Sequence, residues 1–156
     1  DYNGKLGMAY VSGERWSVKA DGSLQSYYNI KHASSDDGIN WNRRGDTLIG
    51  FRDESETNIA RPCVPKTREK YCMWYSYVKN GRGYRIGYAE SIDGMNWTRK
   101  DDEIEKNQHG SSVSYDDEMQ CYPSVLPYKG KIFMFYNGNN FGKYGVELAE
   151  IEGIQI

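Results

Sequence analysis

The chain has 156 residues and a formal net charge of −2, from 20 Lys and Arg against 22 Asp and Glu. That length suits one domain with a real core, and the charge balance gives a nucleic-acid backbone nothing to hold. With 14 Tyr, 4 Trp and 17 Gly against five Leu and six Ala, the residues of strands and tight turns displace the best helix formers. A helical bundle and a disordered chain are both excluded.

In chain order, the first predicted strand follows a polar turn, Gly4-Lys-Leu-Gly-Met-Ala-Tyr10. Next comes Tyr28-Asn-Ile-Lys-His-Ala-Ser-Ser-Asp-Asp-Gly-Ile-Asn-Trp-Asn-Arg43, which aligns without a gap to the residues from Tyr84 to Arg99. The offset is 56 and nine of the sixteen pairs are identical. Pro62-Cys-Val64 recurs as Pro123-Ser-Val125. The segment Glu69-Lys-Tyr-Cys-Met-Trp-Tyr75 recurs as Gly130-Lys-Ile-Phe-Met-Phe-Tyr136, and Tyr144-Gly-Val-Glu-Leu-Ala149 is a third, fainter copy of the stretch from Tyr84.

Each unit therefore reads as three or four short strands: X-Pro-x-Val, a turn, Met-x-Tyr, a loop, Tyr-x-Ile-x-x-Ala, and a closing turn. Strands spaced this way and repeated about every 60 residues predict an all-β chain of propeller blades, with a sandwich as the alternative. The expected units are about 1–59, 60–119 and 120–156 of a single partial domain. Alternation within the copy at Tyr84 puts Tyr84, Ile86 and Tyr88 on one face. The small residues Gly87 and Ala89 fall on the other with Arg85, where a neighbouring blade can approach closely.

The repeated turn Ser-x-Asp-Gly-x-Asn-Trp has its own physical logic. Asp37 and Asp93 accept backbone N–H groups, Gly38 and Gly94 supply positive φ, and Trp41 and Trp97 pin the turn to the sheet. It is similar to the Asp-box of sialidases, with one residue fewer between Asp and Gly. Its oxygen spacing is wrong for calcium.

Cys63, Cys72 and Cys121 are odd in number and lack CxxC spacing. They read as free thiols of a reducing compartment, such as the cytoplasm, rather than as disulfides or zinc ligands. No cofactor or metal motif is present, and no run approaches the roughly 18 apolar residues of a membrane span. The Gly4 unit lacks its X-Pro-x-Val strand, so the chain is expected to open inside a blade. Closure needs at least four blades, so the expected partner is a second copy in a homodimer, or else a missing N-terminal half.

Ala60-Arg-Pro-Cys-Val64, Met73-Trp-Tyr-Ser76, Tyr84-Arg-Ile-Gly-Tyr-Ala-Glu-Ser91, Asp93-Gly-x-Asn-Trp-Thr-Arg99 and Glu118-Met-x-Cys-Tyr-Pro123 together resemble the glycoside hydrolase family 43/32 superfamily of uncharacterised bacterial type. Those proteins are five-bladed propellers acting on furanosides, fructans and other glycans, and the likeness would correspond to the second half of one. The resemblance implies a carbohydrate ligand and three acidic residues at a central funnel. It implies that Glu118 is the general acid; the alternative is that Asp116, Asp117 and Glu118 form a solvated acidic loop.

The family's Arg-Asp-Pro motif lacks its carboxylate here, since Pro62 directly follows Arg61. Glycoside hydrolysis needs one carboxylic acid to protonate the leaving oxygen and a second carboxylate to attack or to activate water. Arg61 is a candidate for binding a hydroxyl-rich or anionic ligand, with a structural ion pair as the alternative. If Glu118 opens an inner strand, Gln120 and Tyr122 share its face and join the substrate site. His109, in the polar loop around residue 109, is a further candidate for touching substrate, whereas His32 aligns with Tyr88 and reads as structural. A non-catalytic carbohydrate-binding or assembly module is the rival function.

Overall fold

A computed structural model describes residues 4–65, 67, 69–105 and 115–153. His109 lies outside them. Ten strands dominate: β1 (Leu6–Val18), β2 (Leu24–Ser35), β3 (Thr47–Ile49), β4 (Glu56–Cys63), β5 (Tyr71–Lys79), β6 (Arg85–Ser91), β7 (Thr98–Arg99), β8 (Cys121–Tyr128), β9 (Lys131–Asn137) and β10 (Val146–Ile151). The helical pieces among the described residues are the single turns α1 (Asp101–Glu105) and α2 (Asn139–Gly142).

The strands form three antiparallel groups: β3-β2-β1, β4-β5-β6-β7 and β8-β9-β10. One parallel step, Tyr28 beside Asn58, joins the first two groups into a seven-stranded sheet. Asn58 holds that seam: its Nδ2 donates to Ser26 O at 3.1 Å, and its Oδ1 accepts from Gln25 Nε2 at 3.3 Å. The third group is a separate three-stranded sheet.

Strand β5 is buried on both faces, as a central strand between packed layers must be. Its odd-numbered Met73, Tyr75 and Tyr77 meet Ile30, Leu48, Ile49 and Ile59 in one core cluster. Its even-numbered Cys72 and Trp74 join Ile86 and Tyr88 in a second, against which Val125, Met134, Tyr136 and Ile151 of the third group pack. The alternation expected for β6 is present. Ile86 and Tyr88 face the second cluster, while Ala89 enters the first and Gly87 lies against the Tyr75 ring.

The two Ser-x-Asp-Gly-x-Asn-Trp turns carry matching bonds. Asp37 Oδ1 accepts Ile39 N at 2.8 Å and Asn40 N at 2.7 Å, and Asp93 Oδ1 accepts Met95 N and Asn96 N at the same two distances. Gly38 and Gly94 have φ of 75° and 77°, which disfavours any side chain there. Each Trp indole donates to the carbonyl of its own turn glycine, and Trp97 also packs on the first core cluster.

A buried charge network ties β4, β7 and α1 together. Arg99 donates to Glu56 Oε2 at 2.7 Å, to Glu56 Oε1 at 2.9 Å and to Asp101 Oδ2 at 2.9 Å. Asp101 also accepts Tyr75 Oη at 2.5 Å and Tyr88 N at 3.0 Å, and Arg52 lies 3.3 Å from it. Glu56 and Asp101 are both buried, so neither carboxylate is tolerable without the guanidinium between them. Cys63, Cys72 and Cys121 are free thiols; Cys72 and Cys121 are buried.

Candidate functional site

The inner strands β4 and β8 share an unusual feature. Each has a register shift at its X-Pro step, between Ala60 and Cys63 in β4 and between Cys121 and Ser124 in β8. At those bulges Arg61 and Tyr122 adopt positive φ, 54° and 60°. Left-handed backbone at a non-glycine residue costs roughly 1–2 kcal/mol, and bulges of this kind re-aim side chains. The result is a contact across the two strands, with the Arg61 guanidinium over the Tyr122 ring at 5.0 Å.

Three more aromatic residues complete the cluster. Tyr84 lies 6.0 Å from Tyr122 between ring centres, Phe141 stacks on Tyr122 at 6.0 Å and 26°, and Tyr84 meets Phe141 edge-on at 6.2 Å. The Tyr28 hydroxyl is hydrogen-bonded to that of Tyr84, its equivalent at offset 56. Phe141 is itself left-handed, with φ of 58°. Three of the five side chains thus stand on strained backbone, and strain of this sort gathers where a ligand is held. Burial pushes the Tyr122 and Tyr84 phenols up from their ordinary range, so both are neutral O–H donors at physiological pH. Arg61 is exposed, and it forms no ion pair among the described residues.

Glu118 does not open β8. It lies in the bend before the strand, three residues ahead of Cys121, with its side chain exposed. The period-2 stripe expected for Glu118, Gln120 and Tyr122 is therefore not formed. Gln120 is buried and donates to Asp116 Oδ2 at 3.0 Å, whereas Tyr122 turns at its bulge toward Arg61.

The bend itself is pinned on several sides. Asn139 Oδ1 accepts both Glu118 N at 3.0 Å and Met119 N at 2.8 Å, and Asn139 Nδ2 donates to Asp117 Oδ1 at 2.7 Å. Arg85 donates to Glu118 O at 2.6 Å and to Asp117 O at 3.0 Å. Gly83 allows this approach, because a Cβ there would sit 2.4 Å from Glu118 O. Of the acidic run, Asp116 is buried and also accepts the Tyr136 hydroxyl at 2.8 Å, so the run is not a uniformly solvated loop.

The structure thus brings Arg61 and Tyr122 together, places Gln120 elsewhere and leaves His109 outside the described residues. Sequence reasoning missed Tyr28, Tyr84 and Phe141, since tyrosines at repeated positions read as core. The signal was available: Tyr28 and Tyr84 are repeat partners, Tyr28 within β2 and Tyr84 just before β6, and Phe141 sits in a Gly138-Asn-Asn-Phe-Gly142 turn. Among the described residues no group of three or more His, Cys, Asp or Glu could hold a metal ion.

No family profile matches the chain. It is 32% identical over 151 residues to the uncharacterised proteins MT1551 and Rv1502 of Mycobacterium tuberculosis, covering 96% of this chain and 48% of each relative. The chain spans about half the length of these curated relatives. Among solved structures it is similar to Zg3597, a family 117 glycoside hydrolase from Zobellia galactanivorans, with a TM-score of 0.75, 21% identity, and coverage of 97% of this chain and 49% of that one. It is also similar to the GH32 β-fructofuranosidase BmSUC1 of Bombyx mori, with a TM-score of 0.68, 14% identity, and coverage of 96% and 32%. Over the third to half of those structures that it covers, the chain has the all-β fold of the propeller glycoside hydrolases. At these identities the likeness is one of fold.

Proposed function

We propose that this glycoside-hydrolase-like chain recognises a glycan at the cluster of Arg61, Tyr122, Tyr84, Tyr28 and Phe141. The observation that carries the reading is the paired bulge of β4 and β8, which spends backbone strain to set a guanidinium over the half-buried Tyr122 ring beside the exposed Phe141. Sugar rings have apolar C–H faces that stack on aromatic rings, and hydroxyl edges that accept from Arg and Tyr donors. The exposed Phe141 supplies the face, the half-buried Tyr122 backs it, and Arg61 supplies the fork of donors.

A second reading, hydrolysis with Glu118 as general acid, is supported by the pinning of residues 117–119 through Asn139 and Arg85. The bonds fix the backbone that carries an exposed carboxyl, and hydrolysis would need a second carboxylate to face it. The test has two arms. Calorimetric titration with a panel of oligosaccharides is expected to show binding that Tyr122→Ala weakens about three- to tenfold, the worth of an aromatic stacking contact. Screening on aryl furanosides and pyranosides is expected to show turnover that Glu118→Gln abolishes. Turnover unchanged in that variant removes Glu118 from the role, and binding unchanged in Tyr122→Ala removes the platform.

A further inference from the structure

Arg99 lies between Glu56 and Asp101, Arg52 pairs with Asp101 and Asp102, and Arg85 holds the carbonyls of Asp117 and Glu118. Arg15, like Arg61, lies over an aromatic ring, Tyr27 at 3.8 Å, but at a different place on the fold, away from the bulges of β4 and β8. Arg61 has no ion-pair partner among the described residues, its φ is 54°, and its guanidinium lies 5.0 Å from the Tyr122 ring centre. It is also the one charged side chain of the five-residue cluster. With the guanidinium at that ring, no hydrogen bond from its N–H groups to another described residue is seen. Those groups form a rigid fork that matches the two oxygens of a carboxylate and matches a lone hydroxyl poorly.

From this we infer that the glycan is acidic: a uronic acid unit whose carboxylate is held by Arg61 while its ring lies against the exposed Phe141. The inference rests on the glycan reading above and narrows it to a substrate class. Arg61 binds the charge, the aromatic rings bind the sugar face, and the neutral Tyr84 and Tyr28 hydroxyls are the donors and acceptors nearest the platform.

The experiment is calorimetric titration of the 156-residue chain with matched pairs of oligosaccharides. Tetramers of galacturonate, mannuronate and glucuronate are compared with tetramers of galactose, mannose and glucose at low and high salt. At least one acidic tetramer is expected to bind about tenfold or more tighter than its neutral counterpart, with the gap narrowing at high salt. Arg61→Gln is expected to collapse that gap and Arg61→Lys to keep part of it, with circular dichroism confirming that both variants fold. Equal binding of acidic and neutral tetramers overturns the acidic assignment and leaves glycan recognition standing. Binding of neither set overturns both readings. An acidic preference that survives Arg61→Gln overturns the role of Arg61.

Discussion

Glu90 accepts hydrogen bonds from Lys70, Tyr88 and Lys100 at the edge of the second core cluster. Burial alone would raise its pKa, but these donors outweigh it and hold the carboxyl down to about 2, against 4.5 for an unperturbed Glu. A carboxyl depressed by folding contributes stability that is fully present above pH 4.5 and is lost as pH falls toward 2, because the unfolded chain takes up the proton first. Glu90→Gln is therefore expected to lower the urea midpoint at pH 6 by more than at pH 2.5. Urea titrations of both proteins at the two pH values check this, and an equal difference at both would show that the charge of Glu90 contributes nothing. Asp37 and Asp93 are likewise held well below the usual carboxylate range by backbone N–H groups, but they are fully solvated and hold only their own turns.

At the scale of the strand, the bulges of β4 and β8 set recognition against stability. Glycine at position 61 would remove a left-handed cost of roughly 1–2 kcal/mol and reintroduce roughly 0.5–1 kcal/mol of chain entropy. The substitution also gives up the cation–π contact with Tyr122, worth about 0.5–1 kcal/mol, so Arg61→Gly is expected to keep the parent's stability to within about 0.5 kcal/mol while losing acidic-glycan binding. Urea unfolding paired with calorimetric titration measures both effects, and a variant destabilised by more than about 1 kcal/mol would show that relief of strain does not offset the lost contact. The strands themselves were legible in the sequence. Met73, Tyr75 and Tyr77 alternate with Cys72 and Trp74, and the structure sends the two sets to different cores. The start of β8 was misjudged because Asn139 and Arg85 hold Glu118 in a bend, and neither partner is near it in sequence.

For the molecule as a whole, the sheet of β8–β10 packs one face on the second core cluster and presents the other outward. Leu126, Phe135, Val146 and Leu148 on that outer face are 51%, 40%, 65% and 58% exposed. The repeats predict a homodimer in which each chain supplies the strand edge the other lacks, with a missing N-terminal half as the alternative, and we propose that this exposed apolar face contributes to the pairing. Sedimentation equilibrium at micromolar concentration is expected to return twice 18.0 kDa, and Leu148→Lys to shift the mass toward the single chain. A well-folded species of 18.0 kDa overturns the pairing.

The sequence by itself determined whatever depends on residues a few positions apart. The Ser-x-Asp-Gly-x-Asn-Trp turns close through bonds spanning two or three residues, and strand alternation has a period of two, so both survive any tertiary context. Tertiary structure alone decided the rest. Glu56 and Arg99 are 43 residues apart, and what joins them is the sheet order β4-β5-β6-β7, across which the Arg99 side chain reaches Glu56, since a buried carboxylate must find a cation wherever the fold brings one. Arg61 and Tyr122 meet because two inner strands bulge at the same step, and a left-handed φ at an X-Pro bond is dictated by the packing around it rather than by the preference of either residue.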